Sequence, residues 1–136
     1  MRRWLTWLAT ALLLVAGTAS AALVSELRHS EHNGNLRLVL ESQIPLRYQL
    51  TQLAQPHRWV IDLPTAQLPP ALQQQLVALA DNSNLVTAVR VAARGDGWRL
   101  VLESAQPLAL VAAQLPASEA SGSRSVFDLS ATAVAN

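Results

Sequence analysis

A shift of 62 residues lays one half of the chain on the other: Leu36-Arg37-Leu38-Val39-Leu40-Glu41-Ser42 falls on Trp98-Arg99-Leu100-Val101-Leu102-Glu103-Ser104. Pro45-Leu46 falls on Pro107-Leu108 at the same shift, and upstream Val24 and Arg28 fall on Val86 and Arg90. Near the end of each half, Val60-Ile61-Asp62-Leu63 matches Val126-Phe127-Asp128-Leu129 after four extra residues, which the stretch 116–123 absorbs as a longer loop. Order, spacing and charge are kept together, so the chain reads as an internal duplication.

Each half holds four segments with period-two alternation, separated by turn formers such as Asn33-Gly34, Pro45, Pro56, Asp96-Gly97 and Pro107. The predicted strands are 24–30, 36–42, 46–53 and 58–63, then 85–92, 98–104, 107–115 and 124–129. Between the halves (23–66 and 85–130), Pro69-Pro70 opens a Leu-, Gln- and Ala-rich run over 70–80, read as one short connecting helix with Leu72, Leu76 and Leu79 on one side. The expected fold is all-β, a sandwich of two symmetric four-stranded antiparallel sheets.

Alternation also sorts the faces. Leu36, Leu38 and Leu40 point inward, leaving Arg37, Val39 and Glu41 outside; Trp59, Ile61 and Leu63 point inward, leaving Arg58, Val60 and Asp62 outside. Arg28 shares a face with Glu26 and Val24. By the same count the second half exposes Arg90, Arg99, Val101, Glu103, Val126 and Asp128, with Arg124 beside them. Both outer faces are thus expected to carry three arginines and two carboxylates around small β-branched residues.

At the N-terminus, Arg2 and Arg3 precede an apolar run from Leu5 to Ala16, and Ala19-Ser20-Ala21-Ala22 supplies the small residues a signal peptidase reads. Residues 1–22 are expected to be a secretory signal cut after Ala21 or Ala22, leaving a periplasmic domain over 23–136 without a stable membrane span. Its removal takes two of the ten basic residues, all arginine, and none of the nine acidic ones. That near-neutral balance argues against nucleic acid, whose binding needs a basic excess to displace counterions. No cysteine is present, so neither disulfides nor thiolate zinc are available and the domain rests on one hydrophobic core.

The inventory does not suit an enzyme, and no cofactor or metal is expected. His29 and His32 lie three apart on an extended segment and point to opposite faces, while His57 sits in the turn after Pro56. Ser42 and Ser104 recur at matched positions without a plausible base, which suits hydroxyl-to-backbone bonding rather than catalysis. Trp59 and Trp98 read as core anchors, with sugar stacking as the other reading.

The strings Arg37-Leu38-Val39-Leu40-Glu41-Ser42 and Pro56-His57-Arg58-Trp59-Val60-Ile61-Asp62-Leu63, with Val24 to Arg28, resemble the AMIN domain found in front of periplasmic N-acetylmuramoyl-L-alanine amidases and of type IV pilus secretins. In the second half, Val89-Arg90-Val91, Arg99 to Glu103 and Gly122 to Leu129 are similar to a repeat of that pattern; Val91-Ala92-Ala93 departs from it, where relatives often continue with Gly and a polar residue. The resemblance implies a non-catalytic module that binds peptidoglycan and directs its host to the cell wall, at the division septum or pilus base. Carried onto this chain, the wall-binding residues would be Arg28, Arg37, Glu41, Arg58, Asp62, Arg90, Arg99, Glu103, Arg124 and Asp128. Three readings stay open beside structural cross-strand pairing of these residues: a stand-alone wall-binding module, an adaptor for envelope or divisome proteins, and the targeting part of a longer amidase.

Overall fold

The computed structural model describes residues 21–132, so of the expected signal segment only Ala21 and Ala22 are described. Strands β1 (Ala22–His32) and β2 (Asn35–Ser42) form a hairpin over Asn33 and Gly34, whose φ of 51° and 77° give the mirror-image turn that a twisted hairpin needs. A second hairpin joins β3 (Gln49–Leu53) to β4 (His57–Leu63). After β5 (Ala66–Gln67), helix α1 (Pro70–Ala78) continues into a 3-10 turn, Leu79–Asn82. The second half repeats the plan with β6 (Ala88–Arg94), β7 (Gly97–Ser104), β8 (Leu108–Leu115) and β9 (Ser123–Ala131).

The halves do not each make a sheet. One sheet runs β5-β1-β2-β9-β8 and the other β3-β4-β7-β6, so each joins the first hairpin of one half to the second hairpin of the other. The expected four-stranded symmetry is therefore corrected at one edge. β5 adds to β1 in parallel through Ala22 to Ala66 and Leu23 to Gln67, making the first sheet five-stranded and mixed. A two-residue strand carries no periodic signal, which is why alternation passes over it.

Leu36, Leu38, Leu40, Phe127 and Leu129 fill the gap from one side and Ile61, Leu63, Leu100 and Leu102 from the other, each at most 1% exposed. Leu72, Leu76 and Leu79 of the helical segment bury the expected stripe and close one side of the core, where α1 packs on β1 and β6. On the opposite side the chain crosses between sheets, and β3 starts at Gln49 rather than 46 because Leu46 is part of a crossover, 2% exposed in the core like its counterpart Leu108. Gln52 Nε2 donates to the Leu108 carbonyl at 3.1 Å, and Gln114, its partner at the 62-residue shift, donates to the Leu46 carbonyl. Each copy thus ties down the other's crossover.

Two inside-outside expectations change. A β-bulge between Val24 and Glu26 reverses the alternation, so Val24 turns into the core at 0% exposure instead of sharing the face of Arg28. Val60 keeps its outward position but is only 6% exposed, flanked in register by Thr51 and Val101.

Candidate functional site

The exchanged hairpins bring the two charged strand types side by side. On the first sheet β2 meets β9 with Arg37 opposite Asp128, Val39 opposite Val126 and Glu41 opposite Arg124. On the second, β7 meets β4 with Arg99 opposite Asp62, Val101 opposite Val60 and Glu103 opposite Arg58. All ten predicted site residues lie on these outer faces, but Arg58 and Asp62 sit with the second half's strands, and Arg124 and Asp128 with the first half's. Of the ten, three arginines fall on each face, and Arg94 of β6 adds a fourth to the second.

Geometry divides those arginines into three kinds. Arg37 holds Asp128 with both prongs, Nε at 2.8 Å and Nη2 at 3.1 Å, and Arg99 holds Asp62 in the same way at 2.7 and 3.0 Å. The Asp128 carboxylate, through its hydrogen bond and its charge, raises the Arg37 pKa. Arg28 and Arg90 reach across to Glu41 and Glu103 more loosely, at 3.8 and 3.4 Å. Arg28 also donates to Glu26 at 2.9 Å; that hydrogen bond lowers the Glu26 pKa and raises that of Arg28. Among the described residues Arg58 and Arg124 form no ion pair. Arg58 spends Nη1 on the Ala54 and Pro56 carbonyls of its own hairpin turn, whereas Arg124 keeps a buried Nε without a partner.

The faces differ in balance. Three carboxylates, Glu26, Glu41 and Asp128, match the three arginines of the first. The strands of the second contribute only Asp62 and Glu103, because Ala88 stands where the duplication has Glu26. Arg90 is left with 71% of its side chain exposed.

Each face also carries a hollow beside its two-pronged pair, lined by both members on the first face and by Asp62 alone on the second. Ser30, His32, Asn35, Arg37 and Asp128 line one of about 310 Å³, and Gln49, Asp62, Pro64, Arg94, Gly95, Asp96 and Trp98 line one of about 260 Å³. His32 and Arg94 occupy matched positions in the duplication. Sequence reasoning weighed His32 only as a metal ligand and passed over Ser30 and Arg94. Carrying the alternation through the two-residue turns Asn33-Gly34 and Gly95-Asp96 would have placed them beside Arg37 and Arg99.

His29 lines a separate depression beside the helical segment, with Leu27, Arg28 and Leu79. Ser42 Oγ donates to the Ile44 carbonyl and Ser104 Oγ to the Gln106 carbonyl, both at 2.6 Å, the hydroxyl-to-backbone role expected of them. Trp59 Nε1 donates to the Leu108 carbonyl at 2.8 Å, and both Trp59 and Trp98 pack on the core half-buried. Among the described residues no helix is long and apolar enough to cross a membrane.

The AMIN domain family matches residues 26–129, and no curated protein matches the chain. That match takes in both charged faces and the exchanged hairpins that build them, and the chain belongs to the AMIN domain family, a non-catalytic, peptidoglycan-associated module of amidases and secretins that occurs in periplasmic proteins.

Proposed function

We propose that this protein is exported to the periplasm and binds peptidoglycan through its two outer faces, holding itself, and whatever it is joined to, at the cell wall. The observation that carries the reading is the matched arginine set on faces that the duplication points in opposite directions. Within each set the roles divide. Arg37 and Arg99 are already committed to Asp128 and Asp62, and the coplanar pair presents leftover N–H donors and carboxylate lone pairs suited to sugar hydroxyls and amides. Arg58, Arg124 and the weakly held Arg90 supply the cations for stem-peptide carboxylates. Two faces on one polymer raise a modest single-site affinity by multivalency.

Pelleting intact murein sacculi with the purified domain tests this. Co-sedimentation is expected, weakened more by Arg58→Ala with Arg124→Ala than by loss of either alone. Folded domain that stays wholly in the supernatant rejects wall binding. Septal enrichment, read from a fluorescent fusion in dividing cells, tests the finer placement.

A further inference from the structure

The duplication contains its own control for an edge strand. β3 and β8 occupy matched positions and are the terminal strands of their sheets on the side where the crossovers run, while the edges on the other side lie under α1 or β5. β3 is five residues long, follows Arg47, and shows Gln49, Thr51 and Leu53 outward. Where the first copy has Arg47, Gln49 and Thr51, the second has Ala109, Val111 and Ala113. β8 is eight residues, Leu-Ala-Leu-Val-Ala-Ala-Gln-Leu, with no charge and no proline. Val111 is 66% exposed and Leu115 41%. Natural edges are defended by charge, proline, bulges or brevity, and β8 has none of these.

We propose that β8 is an association edge for a second copy of this chain, paired antiparallel about a two-fold axis so that two five-stranded sheets become one continuous sheet. Self-pairing is favoured over other occupants by how charge is laid out beside the strand. On β9, Arg124 lies next to Leu115 and Asp128 next to Val111. With Ala113 on the axis, Val111 faces Leu115 of the partner subunit. Each row of the joined face then reads Arg124, Leu115, the partner's Val111, the partner's Asp128, an apolar pair flanked by opposite charges. A parallel pairing would instead line up Arg124 with Arg124 and Asp128 with Asp128. Closed two-fold symmetry consumes both bare edges and leaves no strand to propagate a fibre. The dimer stands independently of what the outer faces bind.

Sedimentation of the mature chain over a concentration series is expected to show a monomer–dimer equilibrium. Val111→Lys, at a position open to solvent in the monomer, is expected to abolish the dimer with an unchanged circular dichroism spectrum. Gln49→Lys, its counterpart on β3, is expected to leave it intact. Because the chain has no cysteine, Ala113→Cys reports the register: directly opposed residues lie about 4.5–5.5 Å apart at Cβ, close to the span of a disulfide, and mild oxidation is expected to cross-link it. A wild-type chain that stays monomeric up to about 1 mM overturns the proposal. So does a dimer that survives Val111→Lys or is lost with Gln49→Lys.

Discussion

Arg37 grips Asp128 with two prongs across 91 positions of sequence, and the two residues belong to opposite halves of the duplication. Its image, Arg99 on Asp62, does the same in the other direction across 37. Ion pairs of this kind are thus also the stitching between exchanged hairpins. The two differ in shelter: Arg99 and Asp62 are 34% and 16% exposed, Arg37 and Asp128 61% and 35%. A double-mutant cycle on Arg99 and Asp62, read by urea unfolding, is expected to give a coupling of about 1–2 kcal/mol. The Arg37–Asp128 cycle should give less and lose more of it in about 1 M salt, where screening reaches only a few ångströms. Equal couplings would contradict the role assigned to shelter.

This exchange marks the limit of what could be read from the residues. Alternation placed Arg37, Glu41, Arg99 and Glu103 on outer faces, because inside and outside follow from which positions are leucine. It could not say which strand lies next to which. β4 and β9 both carry Arg-x-Val-x-Asp, so Arg37 has an equally good partner in Asp62 or Asp128, and only the path of the crossovers through Leu46 and Leu108 decides. The bulge that turns Val24 inward was equally hidden, since one extra residue in a strand leaves no mark on composition. Gln52 and Gln114 were legible in principle: they stand 62 apart, and a polar residue kept on both copies of a strand facing the core calls for a backbone partner.

Gly97 answers to close approach. A Cβ there would sit 2.0 Å from the Leu63 carbonyl oxygen and 2.9 Å from Pro64 Cα, backbone atoms that cannot rotate away. Gly97→Ala is expected to cost about 3 kcal/mol, the upper end for overpacking, seen as a lower urea midpoint. Gly34→Ala meets no atom within 4 Å and is strained only by φ +77°, so it should cost about 1 kcal/mol. A Gly97→Ala chain as stable as wild type would mean that β4 and β7 separate at this end.

Glu26 gives a pH signature. Its pKa lies below the ordinary 4.5, first through the hydrogen bond from Arg28 and then through hydrogen bonding with Glu41. A folded-state acid with a depressed pKa contributes stability that is present above 4.5 and lost as pH falls through the folded value. Carboxyl carbon NMR titration is expected to place the Glu26 midpoint under 4.5 in the wild type and to bring it back up in Arg28→Ala. An unmoved midpoint in that variant would assign the shift to another group.

Ala22 distinguishes the two cleavage points of the proposed export signal. It is 4% exposed, pairs with Ala66, and its backbone nitrogen donates to the Thr65 carbonyl at 3.0 Å. Cleavage after Ala21 keeps that nitrogen and turns it into a terminal ammonium, a charged donor for the same carbonyl with an ordinary pKa of about 8. Cleavage after Ala22 removes the donor and half of the β1–β5 pairing, leaving only Leu23 beside Gln67. N-terminal sequencing of exported protein is therefore expected to begin Ala22-Leu23-Val24. Ala21→Leu blocks that cut by placing a bulky residue at the peptidase subsite, and is expected to move cleavage one residue on. The chain so produced, starting at Leu23, should be less stable by about 1 kcal/mol, the worth of one backbone hydrogen bond, in urea unfolding. Wild-type protein that starts at Leu23 would show that the Ala22–Thr65 hydrogen bond has no part in fixing the cleavage point.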